Sequence, residues 1–342
     1  AQRHVGLVSG RAYMIDDLDF LPVSQEQMHE RGWWWYDFLL ITGDAYVDHP
    51  SFGAAVIGRV LEADGFRVAV CAQPDWHSAD AIAAFGRPRL AVLIGAGNLD
   101  SMVAHYTAAK KRRSEDFYSP GKKAGLRPDR ATIVYSNRAR EAFGADVPII
   151  IGGLEASLRR FAHYDYWEDK VRRSILVDSG ADMLVYGMGE YAEREIARRL
   201  KKKIPVSEMR DIRGTAILTR SADECAFEAV TLPSFADVCD SKRFYADATR
   251  LEYQEHDPVR GKALIQEHDG RWLIVNPPAM PLETKELDRV AELPYTKQYH
   301  PMYEPLGGVP AIEEVKFSVI HNRGCFGGCS FCALAFHQGR MV

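Results

Sequence analysis

Short runs of apolar residues recur along the first half of the chain, separated by stretches in which apolar residues return every three or four positions. Five runs cover residues 36–42, 66–70, 90–94, 147–151 and 183–186. Short continuous apolar runs are typical of strands buried on both faces, and the spacing between them is typical of helices. This alternation predicts an α/β fold, a Rossmann-like, doubly wound parallel sheet covered by helices on both sides.

The pattern becomes less regular in the second half of the chain. Residues 215–218 predict a strand, and residues 242–265 predict a charged helix. Proline is frequent after residue 276, which indicates extended connecting chain. We therefore expect a Rossmann-like domain over residues 1–203 and a connecting α+β region over residues 204–313.

A third segment is expected over residues 314–342. Residues 315–320 alternate apolar and polar side chains and are rich in β-branched and aromatic types, so they predict a strand. A loop with three cysteines follows directly. The segment therefore reads as the first strand and first loop of a further domain.

The three cysteines are the strongest chemical signal in the sequence. Cys325, Cys329 and Cys332 stand in a C-x3-C-x2-C spacing, with two glycines in the longer gap. Three soft thiolate donors within eight residues indicate an iron–sulfur or zinc site. Because three thiolates leave one iron of a four-iron cluster without a protein ligand, that iron could bind a substrate or cofactor. A Cys3His zinc site that uses His321 or His337 is the alternative.

A second set of candidate residues follows the predicted strands. The carboxyl edge of a parallel sheet is its usual binding edge, and the loops there are glycine-rich. The candidate ligand-binding residues are Asp44, Asp48, His49, Gly152, Gly153, Glu155 and Glu190. The alternative is that these side chains cap helices and stabilise turns.

Composition and charge restrict the expected partners and cellular location of the protein. The chain has 342 residues and a formal net charge of −4, which argues against a protein that coats nucleic acid. No apolar run approaches the roughly 20 residues of a membrane helix, and the N-terminus lacks the apolar core of a signal peptide. We expect no membrane partner and a reducing, cytoplasmic location, which would also suit an oxygen-sensitive cluster.

One basic segment departs from the overall acidity. Residues 110–130 contain eight Lys or Arg against three acids, with Phe117 and Tyr118 between them. Such a segment could contact nucleic acid. A solvated surface loop is the alternative, since runs of charge are commonly only surface.

The cysteine loop resembles the signature of the radical S-adenosylmethionine (SAM) superfamily. A strand followed by C-x3-C-x-aromatic-C is typical of its members, and Phe331 occupies the aromatic position. The resemblance implies that Cys325, Cys329 and Cys332 hold a [4Fe-4S] cluster, with Phe331 near SAM. It also implies that the amino and carboxylate groups of SAM chelate the fourth iron, and that reductive cleavage of SAM gives a 5′-deoxyadenosyl radical.

Several other segments resemble the YgiQ family of radical SAM proteins. They cover residues 19–24, 42–53, 73–76 and 152–157 together with the cysteine loop. This resemblance implies a YgiQ-type N-terminal domain followed by a radical SAM barrel with an unassigned substrate. An electron donor such as flavodoxin or ferredoxin is the implied protein partner.

The order of the domains also resembles that of cobalamin-binding radical SAM enzymes. The Asp-x-His-x-x-Gly signature of base-off cobalamin binding is absent, because Asp48 and His49 are adjacent. Cobalamin is therefore a doubtful cofactor, although the predicted fold is that of a cobalamin-binding domain.

The two ends of the sequence predict a fragment. The chain begins without methionine and ends ten residues after Cys332, so we expect a truncated barrel and no activity from this fragment alone. The alternative function is a nucleic-acid or protein binding module, with a structural zinc or iron–sulfur site and the basic loop 110–130 as its contact surface.

Overall fold

A computed structural model describes residues 4–8, 11–15, 19–329 and 331–342 of the chain. The strands are β1 His4–Val8, β2 Arg11–Ile15, β3 Phe38–Thr42, β4 Val68–Ala72, β5 Ala91–Gly95, β6 Ile149–Gly152, β7 His163–Asp165, β8 Lys170–Arg172, β9 Met183–Val185, β10 Thr215–Thr219, β11 Ala229–Thr231, β12 Ala263–His268 and β13 Arg271–Val275. The helices are α1 Gln25–Glu30, α2 Gly53–Ala63, α3 Asp80–Ala83, α4 Ser101–His105, α5 Ala131–Phe143, α6 Gly153–Leu158, α7 Ile175–Ser179, α8 Glu190–Lys201, α9 Phe235–Asp240, α10 Lys242–Glu255, α11 Thr284–Ala291, α12 Ile312–Val315 and α13 Leu334–Gln338.

Nine of these strands form one sheet in the order β11-β12-β13-β10-β9-β6-β5-β3-β4. The strands β4, β3, β5, β6 and β9 are parallel, as predicted. The first of them along the chain, β3, lies between β4 and β5, so the strand order reverses at β3. In a doubly wound sheet this reversal opens a crevice at the carboxyl ends of the strands.

Helices cover the sheet on both faces. Along β3, Phe38 and Leu40 pack into the cluster on one face with α2 and α8, whereas Leu39 and Ile41 pack into the cluster on the other face with α5. Both faces of the strand are therefore apolar, which is why the sequence shows a continuous run and no alternation. Each fully buried side chain of this size stabilises the fold by about 1.5–3 kcal/mol.

The sheet continues into the segment predicted as a connecting region. Strand β10 pairs antiparallel with β9, and β13 and β12 extend the sheet further in antiparallel pairs. Strand β11 then pairs parallel with β12. The predicted boundary at residue 203 therefore does not separate two sheets.

The helix predicted over 242–265 is wrong in its second part. Helix α10 ends at Glu255, and the next element is the β12–β13 hairpin. The hairpin turns at Asp269 and Gly270, whose φ values are +51° and +82°. Positive φ at both central residues is the backbone of a type I′ turn, for which Asp-Gly is a strong sequence signal.

The strand predicted over 315–320 is also wrong. Within this part of the described chain, α12 ends at Val315 and an irregular segment follows. Phe317 is 91% exposed and Val319 is 82% exposed, so most of the apolar face of the predicted strand is open to solvent and not packed on the described residues. An extended segment without a neighbouring strand leaves its backbone groups to water, and alternation alone does not form a sheet.

None of the helices in the described ranges has both the length and the apolar character needed to cross a membrane.

Candidate functional site

A cavity of about 290 Å³ lies at the carboxyl edge of the parallel strands, where the strand order reverses. The loops that follow β3, β5, β6 and β9 converge on it. Its apolar wall includes side chains from the strands and from α2, among them Leu40, Phe52, Ile57, Ile150 and Val185. This is the position at which doubly wound sheets bind ligands.

Two glycines allow the loops after β3 and β5 to lie against each other. A Cβ on Gly43 would overlap the carbonyl oxygen of Ala96, and a Cβ on Gly97 would overlap the carboxylate of Asp44. Gly97 also has φ of +110°, which L-residues with side chains rarely adopt. Only glycine at these positions brings Asp44 to the cavity wall in this arrangement.

Asp44 lines the cavity as part of a buried ion-pair group. The guanidinium of Arg127 donates to Asp44 Oδ1 at 2.8 Å and to Asp116 Oδ2 at 2.7 Å. Burial raises the pKa of Asp44 to about 6, with Arg127 opposing the shift, so this carboxyl is ionised at neutral pH. Although burial alone would lower it, the two carboxylates hold the pKa of Arg127 above its usual value.

Asp48 and His49 do not line the cavity, although they follow the same strand as Asp44. Arg59 donates to Asp48 Oδ2 at 2.5 Å, and the backbone N–H of Thr296 donates to the same oxygen at 2.9 Å. His49 Nδ1 accepts from the N–H of Ser51 at 3.1 Å. Asp48 therefore ties the loop to α2 and to the proline-rich segment, and His49 stabilises the turn at Ser51.

The predicted residues after β6 divide between the cavity and the core. Gly152 and Gly153 line the cavity, whereas Glu155 is buried behind it. The carboxylate of Glu155 accepts from the N–H of Ser101 at 2.8 Å and from the N–H of Thr132 at 3.0 Å. These donors belong to the first turns of α4 and α5, so Glu155 stabilises two helix N-termini.

The C-terminal segment forms the roof of the cavity, which the sequence did not predict. The roof consists of Ile320, Asn322, Arg323, His337 and Gln338, which flank the cysteine loop on both sides. The predicted ligand Glu190 lines the cavity below and makes an ion pair with Arg323. Sequence spacing carries no signal for this contact, because more than a hundred residues separate its partners.

Helix α13 holds the second half of the roof against the sheet domain. His337 Nδ1 lies 3.0 Å from Ser157 Oγ. The ring of Phe336 stacks on His256 with centroids 5.8 Å apart, and the guanidinium of Arg160 lies 5.9 Å from the Phe336 ring centroid. Burial lowers the pKa of His337 to about 4, so this imidazole is neutral at physiological pH.

The cysteine loop projects from the roof on a closed stem. Gly324 N–H donates to Gln338 Oε1 at 3.0 Å, and Cys325 N–H donates to the carbonyl of Gly339 at 3.1 Å. Cys325 is half-buried, whereas Cys329 and Cys332 are exposed, and all three are free thiols. Across the described part of the chain, no group of three or more His, Cys, Asp or Glu side chains is gathered closely enough to hold a metal ion.

The basic segment does not line the cavity, although Arg127 pairs with Asp44 in its wall, and the charges of the segment have different partners. Arg127 is 1% exposed between two carboxylates, and Arg130 pairs with Asp165 and Glu168. Lys110 and Lys122 lie over the rings of Tyr166 and Phe117 at 4.7 and 4.9 Å. Two of the eight predicted cations are therefore committed to ion pairs inside the fold.

Replacing Arg323 by alanine is expected to loosen the roof and leave the sheet intact. The change leaves the buried carboxylate of Glu190 without its guanidinium. A loss of about 1.4 kcal/mol in local stability would raise the equilibrium constant for opening of the roof roughly tenfold. Hydrogen exchange should accelerate over 320–325 and 337–341 and stay constant in β3 and β5. Arg199→Ala, which removes ion pairs at the far end of α8, is the matched control. Unchanged exchange in the roof would contradict the role of Arg323.

Comparison with known proteins gives consistent family matches. A family model described as Radical SAM N-terminal matches residues 20–318. A UPF0313 protein of Clostridium perfringens (strain SM101 / Type A) is 57% identical over 323 residues, which are 94% of this chain and 49% of that protein. A UPF0313 protein of Clostridium botulinum (strain 657 / Type Ba4) is 52% identical over 328 residues, which are 96% of this chain and 51% of that protein. The chain thus spans about half the length of these relatives.

One solved structure has a partial likeness to the chain. It is the radical S-adenosylmethionine methyltransferase TsrM from Kitasatospora setae, solved with cobalamin and a [4Fe-4S] cluster bound. The TM-score is 0.35 and the sequence identity is 18%, over 55% of this chain and 28% of that protein.

Proposed function

The chain belongs to the radical SAM N-terminal family, of the YgiQ type that the sequence predicted, and we propose that its C-terminal cysteines hold the [4Fe-4S] cluster of a SAM-cleaving enzyme. The observation that carries the proposal is one loop that presents three free thiols next to a ligand-sized cavity. Cys325, Cys329 and Cys332 would be the cluster ligands. The substrate is unassigned. The activity is proposed for a full-length protein, since this sequence spans about half the length of its relatives.

The backbone of the loop fits an inorganic core. A Cβ on Gly327 would lie 3.2 Å from Cys325 Sγ and 3.9 Å from Cys329 Sγ, so the absence of a side chain leaves space between the two sulfurs. Gly324 has φ of +78°, and a Cβ there would overlap the carbonyl oxygen of Met341. Soft thiolates suit iron–sulfur clusters, and three of them leave one iron for an exchangeable ligand.

When bound, such a cluster would supply the electron that breaks the S–C5′ bond of SAM, giving methionine and a 5′-deoxyadenosyl radical. This chain's own residues have positioning roles. The Arg323–Glu190 ion pair and the stem at Gly324 fix the loop on the sheet edge. Phe331 is 90% exposed beside Cys332, and its ring is available to contact the adenosyl group. Cobalamin is not part of the proposal, because Asp48 and His49 lie off the cavity.

Metal analysis after anaerobic reconstitution tests the cluster. We expect about four irons and about four labile sulfides per chain, with the absorption of a four-iron cluster. Cys325→Ala should lose most of this iron, because two thiolates cannot hold the cubane. Cys239→Ala removes an exposed cysteine on α9 and should leave the iron content unchanged. One zinc per chain without labile sulfide would overturn the proposal in favour of a structural zinc module.

Turnover needs a separate measurement on the full-length protein. A full-length relative with the cluster loaded should form 5′-deoxyadenosine from SAM and a low-potential reductant such as reduced flavodoxin. A protein that retains the cluster and releases no 5′-deoxyadenosine would refute the enzymatic part of the proposal and leave the metal site standing.

A further inference from the structure

Glu193 is a buried carboxyl for which the chemistry proposed above has no use. It lies in the first half of α8, is 7% exposed and lines the cavity, with its Cγ 3.7 Å from the position of a Cβ on Gly189. Within the described residues, no hydrogen bond or ion pair involves its side chain. Burying a carboxyl without a partner costs free energy. A ligand bound in the cavity would supply the missing partner.

The other acids on the cavity wall already have partners. Asp44 receives Arg127 and the N–H of Asn98, and Glu190 receives Arg323. Among the described residues, four Asp, Glu, Lys and Arg side chains line the cavity, of which three are acidic and one is basic. The electrostatic balance therefore favours a positively charged occupant, and Glu193 is the carboxyl left to receive it.

The surroundings of Glu193 restrict the rest of the occupant. Phe52, Val56 and Ile57 of the α2 side and Val185 of β9 form an apolar wall. The volume of about 290 Å³ is near the lower limit for small-molecule sites, at roughly 300 Å³. A compact apolar body with one cationic nitrogen matches both the wall and the volume.

We propose that this cavity binds a small organic amine, with its apolar body against the α2 wall and its ammonium group paired with the carboxylate of Glu193. Burial raises the pKa of the free Glu193 carboxyl to about 8, so in the empty cavity the group is mostly protonated near neutral pH. On binding, the ammonium stays charged, Glu193 loses its proton to the buffer, and the ion pair forms. The inference does not depend on the cluster chemistry, because it needs only the sheet, α2, α8 and the roof.

Binding of 2-phenylethylamine, compared with its neutral isostere 2-phenylethanol, tests the proposal by titration calorimetry. The amine should bind at least tenfold more tightly than the alcohol. Glu193→Gln should lose at least tenfold in amine affinity, whereas Glu195→Gln, on the same helix and outside the cavity lining, should bind like the parent chain. Equal binding of amine and alcohol, full affinity in the folded Glu193→Gln variant, or no saturable binding up to about 10 mM would overturn the proposal.

Two measurements on the unmodified chain keep the test decisive if the variant fails to fold. Amine binding at pH 7 should release close to one proton, seen as a dependence of the binding heat on the buffer's ionisation enthalpy. Hydrogen exchange over 320–323 and 337–338 should slow on binding, because these residues cover the cavity. Absence of proton release would refute pairing with Glu193, and protection elsewhere would place the amine outside this cavity.

Discussion

Replacing Arg127 by alanine is expected to lower the free energy of unfolding by about 3–5 kcal/mol, since one buried guanidinium pairs with two buried carboxylates. The side chains of Asp44 and Asp116 are each 3% exposed, so water cannot take the place of the guanidinium. Urea denaturation at pH 7.5 measures the loss. The cavity wall should be disordered in the same variant, because Asp44 orders the loops after β3 and β5.

Two further variants distinguish the effect of burial from the effect of charge on the free energy of unfolding. Arg87→Ala removes an exposed pair with Asp146 and should cost less than about 1 kcal/mol. Adding Asp44→Asn and Asp116→Asn to Arg127→Ala should recover part of the stability, because neutral amides are less costly to bury unpaired than carboxylates. If Arg127→Ala alone lowered the free energy of unfolding by less than about 1 kcal/mol, the ion pairs of Arg127 with Asp44 and Asp116 would not be a main source of stability at this sheet edge.

Glu193 is expected to make a contribution to stability that becomes less favourable as pH rises from about 4.5 to 8. Burial raises the pKa of this carboxyl from 4.5 to about 8 in the folded chain, whereas the unfolded chain ionises near 4.5. Between these values the unfolded state has lost the proton that the folded state keeps, so folding carries a growing cost. At about 1.4 kcal/mol per pKa unit, the cost approaches about 5 kcal/mol above pH 8 and then stays constant.

The Glu193→Gln variant should remove this part of the pH dependence. Its stability relative to the parent chain should therefore rise from pH 5 to pH 8, whereas Glu195→Gln should show no such trend. Burial also raises the pKa of Glu252 to about 8, so the double variant Glu193→Gln/Glu252→Gln should gain still more stability relative to the parent chain over this range. A difference between Glu193→Gln and the parent chain that is the same at pH 5 and pH 8 would show that Glu193 is ionised in the folded state.

The parallel core of the fold could be predicted from the sequence because it depends on local patterns. A strand buried on both faces needs a continuous apolar run, and β3, β4, β5, β6 and β9 all coincide with such runs. The carboxyl-edge position of Asp44, Gly152, Gly153 and Glu190 followed from the same topology. Family membership could be predicted because the cysteine spacing and Phe331 form a specific motif, and the family match confirms it.

Features that depend on distant contacts could not be predicted in this way. The strand expected at 315–320 had the right alternation but no partner strand among the described residues. The roof required a pairing between Arg323 and Glu190 that no spacing encodes. The β12–β13 hairpin is different, because the dipeptide Asp269-Gly270 is a sequence signal for its turn. The predicted helix was extended to residue 265, into the start of β12. Asp48, His49 and Glu155 were placed near the right edge, but their partners, Arg59, Ser51 and the N-termini of α4 and α5, came from elsewhere in the chain.

The closed stem at Gly324 and Cys325 bears on the order of events by which such a protein would mature. The entropic cost of joining the ends of a loop rises with its length, and here backbone and side-chain hydrogen bonds to Gln338 and Gly339 already join them. Iron and sulfide would then bind to a cysteine loop whose ends are already joined in the folded protein. Cluster binding would have to order only the interior of the loop. If the proposed cluster were lost by oxidation, the closed stem should stay folded and allow the cluster to be rebuilt in place.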